Sequence, residues 1–246
     1  MKTNILGLMM LTAMVVLSGC AKTRSISNAG YTGVGNGYCY YHSSSDKISY
    51  RGELSEFDVL GIEPGGEPTD EQIAKTLEAS GRVALRKGSP VLLIQSGALQ
   101  PDQPMVTALE KNFRVVPFNG QPGGQSPAGY SKALRLAAAQ AGCETIVCYW
   151  GTLESATKGN QTKAISWLPV AGWVFPDESQ KMRIHLKVAL VDVRSGGWTM
   201  LSSQAFEDKA HSNRLNREAS DLKQSEKLKQ LVYASAADDM VKGYAR

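Results

Sequence analysis

Three histidines and four cysteines are the residues of this 246-residue chain best suited to metal or covalent chemistry. A metal-dependent hydrolase needs His, Asp and Glu ligands converging on one ion, with a general base beside it. Here His42, His185 and His211 stand far apart, and none belongs to a His-Glu-x-x-His pair. His185 alternates with Arg183 and Lys187, two cations that oppose a metal ion, and it reads as a structural or solvent-facing imidazole. An α/β-type serine hydrolase carries its nucleophile in a Gly-x-Ser-x-Gly turn. The nearest stretch, Gly124-Gln125-Ser126-Pro127, reads instead as a turn feeding a helix. Cys143 and Cys148 have no histidine at a spacing that would activate a thiolate. If both lie on one strand, about 3.3 Å per residue separates them by about 16 Å, too far for a disulfide. A bridge from Cys39 to Cys143 would join the N-terminal stretch to the body, although nothing in the sequence requires it. Gly33-Val34-Gly35-Asn36-Gly37 neither follows a strand nor opens a helix, as a dinucleotide-binding loop must. No catalytic residue, metal or cofactor is therefore expected. Carboxylate-only metal sites leave no legible spacing, so an enzyme is disfavoured and not ruled out.

Cys20 has a different setting. Lys2 precedes an uncharged apolar run over residues 5–17, shorter than the roughly 20 residues a membrane-crossing helix needs. Such a run is the core of an export signal. It leads into Leu17-Ser18-Gly19-Cys20, which resembles the lipobox of bacterial lipoproteins. The resemblance implies a diacylglycerol on the Cys20 thiol, cleavage between Gly19 and Cys20, and acylation of the new amine. Two or three acyl chains hold a protein almost permanently, because each buried methylene contributes about 0.8 kcal/mol. Ala21, where an Asp would resemble an inner-membrane retention signal, implies the periplasmic face of the outer membrane. The alternative is an ordinary secretory signal that ends near a cysteine.

The elements that follow must form one body. With 42% hydrophobic and 20% charged residues, the composition is that of a folded domain and excludes a disordered chain. The net charge of +4 comes without any long run of like charges, which argues against nucleic acid as a partner. Residues 1–19 read as the signal, residues 20–47 as the lipidated N-terminus and a flexible tether rich in Ser, Gly, Asn and Tyr, and residues 48–246 as a single domain. A coil of about 26 residues would let the domain stand roughly 25–30 Å from the membrane.

Within the domain, Thr69 and Gln72 have capping-box spacing at a helix start. Ile73, Leu77, Ala84 and Leu85 would form its apolar side. Residues 90–94 make a continuous apolar run, the pattern of a strand buried on both faces. A short helix over 102–112, a strand over 113–118, a helix over 127–141 and a strand over 144–153 follow. Residues 182–193 alternate cleanly: Met182, Ile184, Leu186, Val188 and Leu190 share one face. Asp192 and Ser195-Gly196-Gly197 then read as a hairpin turn in which Asp192 accepts backbone N–H bonds. The last element is a long helix over 213–244, with Leu215, Leu222, Leu231, Ala234 and Val241 as its apolar side. The order predicts an α/β fold: a single two- or three-layer sandwich with a mixed sheet of about five strands, helices between the first three, and a C-terminal hairpin before the final helix.

Three patches carry a likeness: 89–97 (SPVLLIQSG), 132–135 (KALR) and 190–198 (LVDVRSGGW). Together with the order of elements they resemble the enterobacterial lipoprotein family typified by YafT. More distantly, the Val-Asp hairpin is similar to periplasmic modules of curli-secretion and penicillin-binding-protein-activating lipoproteins. Those relatives imply protein binding without chemistry, whereas an aminopeptidase label on some members implies a periplasmic hydrolase as the alternative. The remaining unusual segment is 166–176 (SWLPVAGWVFP), in which Trp167, Trp173 and Phe175 are of the type that anchors interfaces. Covering the sheet, docking an envelope protein and dipping into the membrane surface are its three readings. The expected function is a lipid-anchored, non-catalytic binding or assembly module whose partners are membrane lipid, through Cys20, and an envelope protein.

Overall fold

The computed structural model describes residues 21–28, 53–63, 65, 67–79, 83–119, 126–159, 178–212 and 217–245. In chain order these form β1 (Ala21–Ser25), a 3-10 turn (Ile26–Asn28), α1 (Glu56–Leu60), α2 (Asp70–Ala79), β2 (Pro90–Gln95) and α3 (Gln103–Glu110). Then come β3 (Arg114–Pro117), α4 (Pro127–Gln140), β4 (Thr145–Gly159), β5 (Glu178–Asp192), β6 (Trp198–Ser202), β7 (Phe206–Ser212) and α5 (Arg217–Tyr244).

β4 and β5 are the spine. They pair antiparallel along their whole length, from Thr145 opposite Asp192 to Gly159 opposite Glu178. Each outer edge of this pair carries two strands end to end. On the β4 edge, β2 runs parallel to the first part and β1 antiparallel to the second. On the β5 edge, β6 covers Lys187 to Val191 and β7 covers Glu178 to Ile184. β3 adds to β2 in parallel, so the sheet is mixed, with the order β3-β2-β4-β5-β6 along its main path.

Helices cover both faces. Met105 and Leu109 of α3 and Leu228, Val232, Tyr233 and Met240 of α5 pack with Val91, Leu93, Val147 and the even-numbered residues Met182 to Leu190 of β5. On the other face Val59 of α1 and Tyr130, Leu134 and Ala138 of α4 pack with Leu92, Ile94, Ile146, Cys148 and Val191. The alternation of β5 and the all-apolar run of β2 are thus explained by a three-layer α/β sandwich. Local signals hold where the backbone needs them. Thr69 and Gln72 exchange the two capping-box hydrogen bonds, at 3.0 and 3.2 Å. Ser126 caps α4 by accepting from Gly129 N–H, with Pro127 at the first turn. Asp192 Oδ1 accepts from the N–H and the hydroxyl of Ser195, both at 2.7 Å, in the turn-capping role expected of it.

Several expectations are corrected. The N-terminal stretch does not begin as a tether: Ala21–Ser25 is a strand, and Ile26 is buried beside it. The sheet has the five strands of its main path and, among the described residues, two more at its edges, β1 and β7, which the sequence pattern did not suggest. The helix begun at Asp70 ends at Ala79, with Ile73 and Leu77 exposed, whereas Leu85 forms a parallel bridge to Ala245 and is buried. On α5 the buried side is Ser225, Leu228, Lys229, Val232, Tyr233, Ala236 and Met240, while Leu222 and Leu231 face solvent. That side packs against β5 and α3. Cys143 lies ahead of β4 and Cys148 on it; both are buried free thiols.

Candidate functional site

A run of polar side chains is buried where β2 ends. Gln95 ends β2 and Ser96 follows it, and Asp102 precedes the first turn of α3. Tyr149 projects from β4 toward the α3/α5 face, where it meets Tyr233 edge to face, with ring centroids 5.6 Å apart. Tyr149 donates its hydroxyl to Gln95 Oε1 at 2.6 Å, and the same oxygen accepts the Asp102 N–H at 2.7 Å. Gln95 Nε2 donates to Ser27 Oγ at 3.2 Å, and Ser27 in turn donates to the Ser96 carbonyl at 2.5 Å. On the far side Asp102 Oδ2 accepts from Tyr233 at 2.6 Å and holds Lys229 Nζ at 2.8 Å. Ser96 Oγ accepts the Leu54 N–H at 2.8 Å.

Five parts of the fold therefore meet in one network: the 3-10 turn, the segment before α1, β2 with the start of α3, β4 and α5. Burial, followed by the nearby phenol and carboxylate charges, pushes the Tyr149 and Tyr233 hydroxyls well above the usual tyrosine range, so both stay neutral donors. Cys148 is pushed up by burial alone, which makes its thiol inert at neutral pH. This arrangement binds structure together. It offers no thiolate and no exposed nucleophile beside a base.

The second feature is open. α1 and α4 cover one face of the sheet only as far as Trp150. Beyond it lies a groove of about 490 Å³ lined by Glu53, Glu56, Trp150, His185, Lys187 and Ser203, among others. Trp150 Nε1 donates to the Leu54 carbonyl at 2.7 Å and leaves the ring half-buried in the groove wall. Lys187 pairs with Glu56 at 2.6 Å, and His185 Nε2 lies 3.7 Å from Glu154. Arg183 contacts Glu154 and Glu207, while Lys181 reaches Glu207 at 2.7 Å. The hydrogen bonds from Lys181 and Arg183 hold the Glu207 carboxyl below its ordinary range. The expectation that cations flank His185 holds, with carboxylates from neighbouring strands interleaved among them. Among the described residues no three His, Cys, Asp or Glu side chains are grouped to hold a metal ion.

Gly19, Cys20, Cys39, His42, Trp167, Trp173 and Phe175 lie outside the described residues. His211 lies on β7, opposite Ser179. The structure nonetheless places the points where the chain leaves for the two key stretches. Ala21, covalently next to Cys20, pairs with Ala156, and the segment holding Trp167, Trp173 and Phe175 departs from Gly159 and returns at Glu178. Ala21, Gly159 and Glu178 thus lie toward the same end of the sheet.

The buried network was not expected from sequence. Its only signal was Gln95-Ser96 directly after an all-apolar strand, since Tyr149 and Tyr233 occupy ordinary core positions in the apolar pattern. The second and third of the patches noted above meet: Arg135 of the second donates to the carbonyls of Val193 and Arg194 in the third, both at 2.9 Å. A Cβ at Gly196 would lie 2.5 Å from that guanidinium, so the turn admits Arg135 only because residue 196 is glycine. The first patch is β2 itself, two strands away across β4.

Among the described residues no helix is long and apolar enough to cross a membrane. Comparison with curated proteins yields no match. A family model described as YafT bacterial lipoprotein matches residues 55–243, which takes in every element from α1 through α5 and all three patches. The chain belongs to the YafT bacterial lipoprotein family.

Proposed function

We propose that the protein is a lipid-anchored, non-catalytic binding or assembly module, acylated at Cys20 after cleavage behind Gly19 and held at the periplasmic face of the outer membrane. The family implies a lipid anchor; the Leu17-Ser18-Gly19-Cys20 sequence supports Cys20 as its site, and Ala21 supports the outer membrane. The observation that supports the binding role is where the chain leaves and re-enters the sheet around the aromatic stretch. β4 and β5 remain paired out to Gly159 and Glu178, beyond Met182, the last described core residue of β5 in that direction. The sequence between those two ends holds Trp167, Trp173 and Phe175, and aromatic side chains of this kind anchor protein interfaces.

Lys187 and Glu56 of the Trp150 groove pair with each other, and His185 faces Glu154 on the neighbouring strand, which suits a polar recognition surface better than a reaction centre. Replacing Trp173 with Ala and repeating an in-cell cross-linking pulldown tests the docking role. Loss of the main cross-linked envelope partner is expected, and an unchanged partner profile would overturn it.

A further inference from the structure

We infer that the anchored domain lies flush on the bilayer, with the β1-start end of the sheet as its lipid-facing surface, and does not ride on a tether. The inference rests on Cys20 being the acylated residue. Consecutive Cα atoms are about 3.8 Å apart, so the anchoring residue cannot lie farther than that from Ala21. Ala21 is already in the sheet: it pairs with Ala156, which pairs with Lys181, which pairs with Lys209. At about 4.8 Å between strands this row extends about 14 Å sideways from the anchor. Three further rows continue past it, ending at Gly159, Glu178 and Ser212. At about 3.3 Å per residue they reach roughly 10 Å beyond the level of Ala21, more than the roughly 5–8 Å of one headgroup layer.

β1 is not a loosely placed strand that could peel away to supply slack. Five consecutive residues pair with β4, and Ile26 is 1% exposed over Gly151. Ser27 is bonded into the Gln95–Ser96 corner. Any slack in the stretch from residue 29 to 52 lies beyond this attachment and cannot lengthen the link to the lipid. The domain edge is thus pinned where the acyl chains enter the bilayer.

The test uses the full, processed lipoprotein in vesicles of phosphatidylethanolamine and phosphatidylglycerol, with acylation of Cys20 verified by mass. A fluorescent amino acid is placed at position 209, exposed in the anchor row, or at position 111, exposed at the opposite end of the sheet. Lipids carrying a quencher at headgroup depth should quench position 209 several-fold more than position 111. Inserting a flexible Gly/Ser stretch between Cys20 and Ala21 should abolish that difference. Equal quenching at the two positions in the native chain would overturn the inference, and so would a difference that survives the insertion. An unmodified Cys20 would instead overturn the anchoring assignment, and is read separately by the mass.

Discussion

Tyr149 and Tyr233 illustrate what burial does to a single group. Each phenol is closed off from solvent, each makes a short hydrogen bond, and the Asp102 carboxylate beside them opposes a second negative charge. Their ionisation is therefore displaced upward in the folded protein only. A group whose folded value is raised stabilises the fold fully below its unfolded value, and loses that contribution as pH climbs from the unfolded toward the folded value. Stability should accordingly fall as pH rises past about 10, the ordinary tyrosine range. Burial pushes the Tyr130 hydroxyl up as well, so absorbance at phenolate wavelengths should show at least three tyrosines that ionise only together with the loss of folded circular dichroism. Tyr233→Phe should lower that number by one and cost about 1–2 kcal/mol in denaturant melts, the usual effect of removing one buried hydrogen-bond partner. An unchanged number in Tyr233→Phe would contradict this reading.

At the scale of elements, the junction of β1 with β4 decides how the chain starts. Gly151 lies where β2 ends and β1 begins along the edge of β4. A Cβ at residue 151 would come within 2.4 Å of Ile26 Cδ1 and 2.8 Å of Cγ1, so the whole Ile26 side chain would have to move. Burying an isoleucine side chain contributes about 1.5–3 kcal/mol, and overpacking of this kind typically costs about 1–3 kcal/mol. Gly151→Ala should therefore loosen β1 before the rest of the sheet. Hydrogen exchange should speed up selectively at the amides of Arg24 to Ser27 while β2 and β5 keep their protection. Uniform acceleration across the sheet would show that β1 is not an independent attachment.

At the scale of the whole molecule, a two-faced sheet carries its helices on both sides and a groove with charged walls on the part its helices leave open. The proposed acylation of Cys20 predicts that the acyl chains account for membrane retention. The chain beginning at Ala21, produced without lipid, should stay at the bottom of a flotation gradient with the same vesicles, while the acylated form rises with them. Flotation of the unacylated chain would assign part of the binding to the protein surface.

The sequence by itself determined the address, the class of fold and the positions of most elements, because those depend on short-range patterns. An apolar run before a cysteine, period-two alternation in 182–193, a capping box at Thr69 and Gln72, and a Pro-initiated helix at 127 each reflect what a local backbone needs. Tertiary structure alone decided three other things. β1 has no periodicity of its own and exists because β4 offers it an open edge past the end of β2. The buried side of α5 runs through Ser225 and Lys229, bypassing Leu222 and Leu231, because Asp102 and the floor of β5 select that stripe. The Gln95–Tyr149–Asp102–Tyr233–Lys229 network joins residues as many as 134 positions apart (Gln95 to Lys229), a distance over which no local pattern carries information. Pairing edges and buried charges are satisfied between elements, so only the assembled fold could show that residues 21–25 belong to the sheet.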